Sequence, residues 1–588
     1  MKVASTFIIL ASLLGSSFAS PAPVVVSDGG MQGGLEERAT TITVNVPAGS
    51  IVGTQEIWTE NFNGIPYAET AQRLRKPVRR KDPLVNWDAT KAAAACPQQI
   101  ADSDDPNFIA QVLSTVSETS LFKKALKISE DCLTVNVIRP KGVKQGDNLP
   151  VLFWIYGGGF ELGWSSMYDG SLLVKSGLDV GKPFVFVAVN YRVAGWGFMP
   201  GKQVKAEGIG NLGLLDQRMG LEWVADNIAA FGGDPDKVTI WGESAGAISV
   251  FDQMAAYDGN NLYNDKPLFR GAIMNSGSMV PVDPVDGSRG QRTYDAVVKK
   301  AGCDTAPDSL QCLRDLPLDK FTDAANSVPA ILSYQSVSLE YLPRPDGVFM
   351  TDSPDNLVSN KKYAAVPMII GDQEDEGTLF ALFQSNTSAT VESTTDYLQK
   401  VFFPQAPRNY IEDLVKSYGT GIEALNYGSP HRTGIFNEIY PGFKRLAALL
   451  GDAVFTLTRR IFLEKCTSLN PDVPAWSYLA SYNYLTPIMG TFHGADILQV
   501  FYGILPNYAS RNIHNYYLNF LYNLDPNNAS GGDGSNRSKV KENWPRWDSN
   551  SRQLINFYAM YFKQITDDFR ERSAAVLRTA YGALGLRL

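Results

Sequence analysis

One serine in the chain lies in a sequence context that favours nucleophilic catalysis. Ser244 is the centre of the pentapeptide GESAG at residues 242–246, which directly follows an apolar run ending at Trp241. A helical pattern follows in residues 247–251. A Gly-x-Ser-x-Gly sequence between a strand and a helix is typical of a sharp turn that presents the serine hydroxyl above the edge of a sheet. The pattern predicts Ser244 as a nucleophile.

A serine hydroxyl needs a general base, and the chain contains three histidines, His431, His493 and His514. All three follow Ser244, as the Ser–acid–His order of hydrolase triads requires. His431 lies in a polar turn, and His514 lies among aromatic residues on a predicted helix, which is typical of a structural residue. His493 lies in the glycine-flanked loop 490–496, and loops often carry functional side chains. The spacing favours His493 without excluding the others.

The orienting acid is expected between the nucleophile and the base. The apolar run 368–370 ends at Gly371 and is followed by a cluster of acidic residues. A carboxylate just past the carboxyl end of a strand lies where an open α/β sheet builds its site. Residue types and spacing do not separate the four candidates, which are Asp372, Glu374, Asp375 and Glu376.

A glycine-rich turn is a candidate oxyanion hole. The apolar run 151–155 leads through Tyr156 into the sequence GGGF at residues 157–160. Successive glycines let backbone N–H groups turn towards a developing oxyanion. Glycine-rich turns also hold phosphates, but neither a following Lys-Ser/Thr pair nor a Gly-x-Gly-x-x-Gly spacing accompanies this one. The turn therefore favours acyl chemistry over phosphate binding.

The elements that must position these residues indicate an α/β fold. Continuous apolar runs of strand length are typical of central strands covered on both faces, and they occur at 151–155, 184–189, 238–241 and 368–370. A helix with Asn211 as its predicted N-cap has one apolar face, formed by Leu214, Leu221, Val224 and Ile228. Strands that alternate with helices predict a mostly parallel sheet.

The composition and the beginning of the chain indicate an exported globular protein. The 588 residues are 44% hydrophobic, and the net charge of −8 disfavours binding to nucleic acid. Residues 1–19 have the pattern of a secretory signal peptide, and residues 20–40 predict a flexible leader or short pro-segment. No later apolar run is long enough for a transmembrane anchor. Glycosylation sequons begin at Asn386, Asn528 and Asn536.

Taken together, the motifs resemble those of the type-B carboxylesterase/lipase family. They are SEDCL at 129–133, GGGF at 157–160, GESAG at 242–246, DEGT at 375–378 and HGAD at 493–496. The resemblance covers nearly the whole chain after Thr41, which predicts a catalytic domain at residues 41–588. Within the family, it points to fungal lipases and sterol esterases of the Candida rugosa lipase type. It implies an α/β-hydrolase fold, a single large domain with a central, mostly parallel sheet and inserted lid and surface segments.

The resemblance also assigns residue roles. It implies a triad of Ser244 as nucleophile, Glu376 as acid and His493 as base. The implied oxyanion hole consists of the N–H groups of Gly158, Gly159 and Ala245. The implied acyl pocket includes Leu379 and Phe380. The corresponding mechanism, an acyl-enzyme on the serine, needs neither a metal nor an organic cofactor.

The five cysteines of an exported protein are expected to be mostly paired. Cys303 and Cys312 are near enough in sequence to close a small loop, and Cys96 and Cys132 could close a larger one. Cys466 would then remain as a buried thiol. The spacing does not prove this connectivity, but the family resemblance implies the same two pairs.

A lid is predicted between Cys96 and Cys132. The segment contains an apolar helical face formed by Ile109, Val112, Leu113 and Val116. An ordinary surface helix packed on the core would show the same pattern. Because the related fungal lipases use the corresponding loop as a lid, the resemblance favours a segment that covers an acyl pocket and opens at a lipid surface.

These features predict a secreted serine carboxylic ester hydrolase. The favoured substrates are long-chain acyl esters, namely triglycerides and steryl esters, cleaved at a lipid–water interface. A general carboxylesterase for small soluble esters would have the same triad without a lid. A non-catalytic adhesion module on the same fold is a third interpretation, which an intact triad disfavours. The sequence leaves the acyl chain length and the oligomeric state open.

Overall fold

The structure of the protein is a computed structural model, and it describes residues 40–47, 49–99, 127–385, 387–501, 507–527, 542–580 and 584. Residues Thr41–Leu588 form one compact unit through their mutual contacts. The predicted signal peptide, the leader up to residue 39, the asparagines of the three sequons and the apolar face of the predicted lid lie outside the described residues.

A long mixed sheet organises the unit. Its strands are β1 (Thr41–Val46), β2 (Gly49–Gln55), β3 (Thr59–Pro66), β4 (Leu84–Asp88), β5 (Thr134–Pro140), β6 (Leu149–Ile155), β7 (Val185–Val189), β8 (Gly233–Glu243), β11 (Gly271–Asn275), β12 (Met368–Gln373), β13 (Ala475–Ala480), β14 (Gln553–Phe557) and β15 (Phe562–Thr566). Within the described residues they are ordered β1-β2-β3-β5-β7-β6-β8-β11-β12-β13-β14-β15, with β4 beside β2. The short strands β9 (Leu262–Tyr263) and β10 (Lys266–Pro267) form a separate hairpin.

In this order, the strands from β7 to β14 run parallel to their neighbours. The pairs β1–β2, β2–β3, β3–β5, β5–β7 and β14–β15 are antiparallel, whereas β4 runs parallel to β2. Every residue of β7 and β13 is buried, because helices and loops cover both faces of the sheet centre. The four predicted apolar runs fall within β6, β7, β8 and β12 or directly overlap them. The prediction of a mostly parallel sheet is confirmed.

Helices occupy the connections between the strands. They are α1 (Ser171–Asp179), α2 (Ala194–Gly197), α3 (Lys202–Ala206), α4 (Leu212–Asn227), α5 (Ala245–Gly259), α6 (Ser288–Lys300), α7 (Ser309–Asp315), α8 (Leu318–Ala325), α9 (Pro354–Ser359), α10 (Val391–Val401), α11 (Arg408–Ser417), α12 (Ile422–Tyr427), α13 (Phe443–Gly451), α14 (Leu457–Leu469), α15 (Ala495–Val500), α16 (Tyr508–Asn523) and α17 (Glu571–Ala580). Shorter 3₁₀ turns lie at Ser165–Met167 and Ile228–Phe231, and a π-helical turn lies at Asp452–Thr456. Among the described helices, none combines the length and the apolar character that crossing a membrane requires.

The predicted N-cap residue of α4 has the expected position but does not make the expected capping hydrogen bond. Asn211 directly precedes the helix, yet its side chain makes no capping hydrogen bond, and its φ of 56° is left-handed. Instead, Arg344 N donates to Asn211 Oδ1 at 2.9 Å, and Asn211 Nδ2 donates to Arg344 O at 2.7 Å. Asparagine tolerates left-handed backbone better than most residues do, and here it attaches a distant segment to the start of the helix.

Two disulfides are present, Cys96–Cys132 and Cys303–Cys312, and Cys466 is a buried thiol whose pKa is raised by burial. The Cα atoms of Cys96 and Cys132 are 5.1 Å apart. Beside this bond, Ser129 N donates to Ala95 O at 3.0 Å and Gln99 N donates to Glu161 O at 2.9 Å. Both ends of the disulfide-closed segment 97–131 are therefore attached to the body of the protein.

Candidate active site

Ser244 lies on a tight turn between β8 and α5. Its φ of 57° and ψ of −127° are strained for a residue with a side chain. The turn requires glycine on either side, since a Cβ on Gly246 would lie 2.0 Å from Ile155 O and one on Gly242 would lie 2.3 Å from the backbone of Gly246. This packing brings α5 against β6 and presents the hydroxyl at the carboxyl edge of the sheet.

The side chains of Ser244, His493 and Glu376 are in direct contact. His493 Nε2 lies 2.7 Å from Ser244 Oγ, and His493 Nδ1 lies 2.5 Å from Glu376 Oε2. All three residues are buried. The second oxygen of the acid, Glu376 Oε1, accepts the N–H of Gln373 at 2.7 Å, which holds the carboxylate in one orientation. In this arrangement an imidazole can accept a serine proton while the carboxylate stabilises the imidazolium.

The three side chains come from loops that follow different parallel strands. Ser244 follows β8, Glu376 follows β12, and His493 lies in the loop after β13. The loops that carry Glu376 and His493 are joined by a parallel bridge between Asp375 and Phe492. Because the carboxyl ends of parallel strands meet at one edge of a sheet, residues separated by 249 positions in sequence are in hydrogen-bond contact here.

All four candidate acids at the carboxyl end of β12 are buried, and each has a different partner. Asp372 Oδ2 accepts from Arg459 at 2.6 Å, and Glu374 pairs with Arg432. Of the four, Glu376 alone shares a hydrogen bond with a histidine side chain among the described residues. The described part of the chain contains no group of His, Cys, Asp and Glu side chains arranged to hold a metal ion.

Asp375, the residue before the acid, binds backbone N–H groups. Its Oδ1 accepts from His431 N at 2.8 Å, and its Oδ2 accepts from Thr491 N at 3.1 Å. Its own N–H donates to Thr491 O at 3.0 Å. Because Thr491 lies two residues before His493, Asp375 attaches the loop of the base to the loop of the acid.

The other two histidines lie in structural surroundings. The ring of His431 packs edge-on against Phe569 at 5.1 Å, and burial together with Arg570 and other cations lowers its pKa to about 3. His514 lies on α16, where Nδ1 contacts Ser176 Oγ at 3.1 Å and Nε2 contacts Val500 O at 3.0 Å. Burial also lowers the pKa of His514. Neither ring, in the described structure, has a hydrogen bond to the serine.

A second carboxyl lies close to the imidazole. Glu243 Oε1 is 3.4 Å from His493 Nε2. Burial alone would lower the pKa of His493, but the charges of Glu376 and Glu243 raise it to about 9. Burial raises the pKa of Glu243 to about 8, against the opposing effect of the imidazolium. We take Glu376 as the main cause of the high His493 pKa, because its contact is 2.5 Å and Glu243 Oε1 has no hydrogen-bond partner.

Asn275 is a contributor to the site that sequence reasoning missed. Its carbonyl oxygen accepts from Ser244 N at 2.9 Å, and its Nδ2 donates to Asp496 Oδ2 at 2.7 Å. Its own Oδ1 accepts from Trp241 Nε1 at 3.2 Å and from Tyr517 OH at 3.0 Å. The local sequence contains no signal for this role, since it depends on β11 pairing beside β8.

The glycine turn after β6 approaches the serine closely. A Cβ on Gly157 would lie 2.8 Å from Ser244 Cβ. Gly158 and Gly159 have φ values of 105° and 64°, which residues with side chains rarely adopt. No acceptor among the described residues takes the N–H groups of Gly158, Gly159 or Ala245. These donors are therefore available to an oxygen bound beside the serine.

The predicted pocket residues lie next to the imidazole. The ring of Phe380 is buried and lies 5.0 Å from the ring of His493, and Leu379 is half-buried. Phe455, which the sequence did not single out, lies 4.5 Å from the same imidazole on the π-helical turn. The two phenylalanines thus pack against the imidazole of His493. A role of Leu379 and Phe380 in binding an acyl chain stays a prediction.

Comparison with known proteins identifies the family. A profile described as the carboxylesterase family matches residues 40–573. The chain therefore belongs to the carboxylesterase family, and it is an ester hydrolase. This confirms the resemblance drawn from the motifs.

Individual relatives are similar over nearly the full length. The secreted triacylglycerol lipase of Gibberella zeae is 54% identical over 554 residues, which cover 94% of this chain and 92% of that one. Secreted lipase 1 of Botryotinia fuckeliana is 52% identical over 96% of both chains, and lipase 4 of Diutina (Candida) rugosa is 44% identical over 89% and 92%. The predicted secretion is confirmed by these relatives, and the protein is a secreted enzyme.

A solved structure supports the fold. The crystal structure of EstA from Aspergillus niger matches with a TM-score of 0.76, covering 92% of this chain and 99% of that one. At 24% identity this likeness concerns the fold alone. Together with the family match, it confirms the predicted α/β-hydrolase fold.

Proposed function

We propose that the protein is a lipase that cleaves long-chain acyl esters, triacylglycerols and steryl esters, with Ser244 as nucleophile, His493 as general base and Glu376 as orienting acid. The observation that carries the proposal is the pair of contacts on the imidazole, 2.7 Å to Ser244 Oγ and 2.5 Å to Glu376 Oε2. The names of the relatives from Gibberella zeae and Diutina rugosa support the substrate class.

In the first half-reaction Ser244 Oγ attacks the carbonyl carbon of the ester while His493 Nε2 takes the hydroxyl proton. The carbonyl oxygen becomes an oxyanion, which the N–H groups of Gly158, Gly159 and Ala245 stabilise. The imidazolium then gives its proton to the leaving alcohol, and the acyl group remains on Ser244. Glu376 stabilises the imidazolium throughout this half-reaction.

In the second half-reaction a water molecule takes the place of the alcohol. His493 removes a proton from the water, and the resulting hydroxide attacks the acyl carbon. The tetrahedral intermediate collapses, the fatty acid leaves, and the proton returns to Ser244 Oγ. The chain's own residues handle every proton transfer in both halves.

A substrate series tests the proposal. Purified enzyme is assayed on p-nitrophenyl acetate, on emulsified triacylglycerols from tributyrin to triolein, and on cholesteryl oleate. The proposal expects the higher rates on the emulsified long-chain and steryl esters, and a Ser244→Ala variant serves as the inactive control. Activity confined to the soluble ester would identify a general carboxylesterase for small esters instead.

The non-catalytic alternative is tested separately. An activated ester such as p-nitrophenyl butyrate should give a burst of phenol equal to the enzyme concentration when deacylation limits turnover. Absence of any phenol release from the correctly folded chain would favour a binding module on the same fold. In this proposal the enzyme meets its substrate at the lipid–water interface.

A further inference from the structure

A group of exposed apolar side chains lies on three neighbouring segments, 433–440, 484–488 and 558–561. We call this surface the apolar rim. Its members include Ile435, Phe436, Ile439, Leu485, Met560 and Tyr561. Phe436, Leu485 and Met560 are 74%, 78% and 81% exposed. A cluster of exposed apolar side chains on neighbouring segments of a secreted protein indicates an interaction site.

Side-chain contacts join the three segments into one surface. Ile488 N donates to Asn437 Oδ1 at 3.0 Å, which links the second segment to the first. The Arg432 guanidinium lies over the rings of Tyr484 and Tyr558, at 5.0 and 5.6 Å from their centroids. These two rings are themselves 6.1 Å apart, which links the second segment to the third.

The sheet places the apolar rim on the same edge as the serine. The second segment follows the carboxyl end of β13, and the third follows the carboxyl end of β14. Both strands are parallel to β8 and β12, whose carboxyl ends lead to Ser244 and Glu376. At about 4.8 Å between strands, β13 lies three spacings, or roughly 15 Å, from β8. The rim therefore flanks the site and faces the same side.

The carboxylate of Glu438, within the first segment, is bound by backbone N–H groups. Glu438, between Phe436 and Ile439 in the sequence, uses its carboxylate oxygens to accept from Gly442 N at 2.6 Å and Lys444 N at 2.9 Å. Lys563 lies over the Tyr558 ring at 5.4 Å, at the margin of the third segment. Aliphatic side chains, tyrosine rings and cations at the edge of the surface are residue types typical of the boundary between lipid headgroups and acyl chains.

We propose that the apolar rim docks the enzyme on the surface of its water-insoluble ester substrate. This inference rests on the proposed lipase function and adds the surface by which the lipid phase is held. Docking at this edge turns the serine towards the lipid, so that an ester molecule reaches the site without crossing water. The rim lies outside the disulfide-closed segment 97–131, so the docking surface and the predicted lid can be tested independently.

The experiment compares two charge-matched double variants. The test variant is Phe436→Asp with Leu485→Asp. The control is Ile57→Asp with Trp58→Asp, whose side chains are 75% and 55% exposed. The control turn lies between β2 and β3, and successive antiparallel pairings from β7 back to β2 place it at the opposite edge of the sheet. Both variants add the same charge and remove large exposed apolar groups.

Adsorption to triolein droplets is measured by flotation, together with turnover of emulsified triolein and of soluble p-nitrophenyl acetate. The test variant should show adsorption and triolein turnover lower by about tenfold or more, because two apolar side chains no longer leave water on docking. Its turnover of the soluble ester and its thermal unfolding should match those of the wild type. The control should behave as wild type in every assay.

Each remaining outcome has a separate meaning. Equal adsorption and triolein turnover in the test and control variants would overturn the docking proposal while leaving the lipase function intact. Wild-type enzyme that cleaves p-nitrophenyl acetate but neither adsorbs to nor cleaves triolein would instead overturn the proposed function. A wild-type dimer that the test variant converts to a monomer, with adsorption unchanged, would assign the rim to a second copy of the chain and also overturn the proposal.

Discussion

Asn275 and Asp496 are 221 residues apart in sequence and are joined by a hydrogen bond of 2.7 Å. The carbonyl oxygen of the same Asn275 accepts from Ser244 N, and Asp496 lies three residues after His493. One asparagine therefore couples the turn of the serine to the loop of the histidine. Asp496 is buried, and burial raises its pKa to about 6, so its carboxylate depends on this donor.

Replacing the asparagine should damage both stability and catalysis. Asn275→Ala leaves the buried Asp496 carboxylate without this donor, and we expect a loss of about 1–3 kcal/mol in the free energy of unfolding. The value of kcat on a soluble ester should fall because the histidine loop is less well held. Urea unfolding and steady-state kinetics measure the two effects. Asn360→Ala, which removes an exposed donor to Asn356 O, is the control and should leave both unchanged.

The three histidines should respond differently to substitution. His493→Ala and Ser244→Ala should each lower kcat by about 10⁴-fold or more, with the fold intact, because these two groups act as a unit. His514→Ala should lower the free energy of unfolding by about 1 kcal/mol or more through its two lost contacts, and leave kcat largely unchanged. His431→Ala should also retain activity. An inactive, folded His514→Ala variant would show that the wrong base has been assigned.

The pH dependence of activity should reflect the carboxyls around the imidazole. His493 must be neutral to accept the serine proton, so activity falls as the pH drops below its pKa. Because that pKa is raised to about 9, the acid limb of kcat/KM should lie well above pH 6.5. Glu243→Gln removes a negative charge that favours the imidazolium, so the limb should move to lower pH by about one unit or more. An unmoved limb would mean that Glu243 is neutral in the working enzyme.

Asp375→Asn tests how the loop of the base is held. The variant replaces one carboxylate oxygen by an NH₂ group that faces a backbone donor, either His431 N or Thr491 N. We expect a loss of about 1–3 kcal/mol in the free energy of unfolding and a lower kcat with little change in KM. Glu374→Gln is the neighbouring control, since its partner Arg432 is partly exposed, and its effect should be smaller. If both changes lowered the free energy of unfolding and kcat equally, Asp375 would have no specific role in holding the loop of His493.

The lid hypothesis follows from the sequence pattern and concerns residues outside the described ranges. Val112→Asp with Val116→Asp should depress activity on emulsified long-chain esters far more than activity on soluble ones, because an apolar face that meets lipid would acquire two charges. Ser114→Asp with Ser117→Asp adds the same charge beside that face and should have a smaller effect. Equal losses on both substrate types, or none on either, would favour a simple carboxylesterase.

Strand positions could be predicted where both faces of the sheet are buried. The runs within β6, β7, β8 and β12 are continuously apolar because helices cover both sides of the sheet centre. The outer strands β1 to β4 mix buried positions with half-buried or exposed ones, and their interrupted apolar signal gave no prediction. The prediction that the Asn211 side chain caps α4 was wrong. That side chain binds a segment 133 residues away, and sequence order does not reveal such a partner.

For the candidate site, local motifs located the serine turn and the glycine turn, since these two turns leave no room for a Cβ at Gly242, Gly246 and Gly157. The choice of acid could not be made from the sequence, because all four carboxyls are buried and differ only in their distant partners. Glu376 was selected by family resemblance alone. Asn275 and Phe455 were missed for the same reason, as each reaches the site through tertiary packing.

The disulfide between Cys96 and Cys132 has a practical consequence for engineering. Its Cα atoms are 5.1 Å apart, and hydrogen bonds of Ser129 and Gln99 hold the adjoining backbone at both ends. Residues 100–126 can therefore be exchanged as a cassette, because the disulfide and the contacts of Gln99 and Ser129 lie outside the exchanged stretch. Chimeras that carry the corresponding segment of a relative should fold on the unchanged sheet, so that substrate range can be varied apart from the catalytic residues.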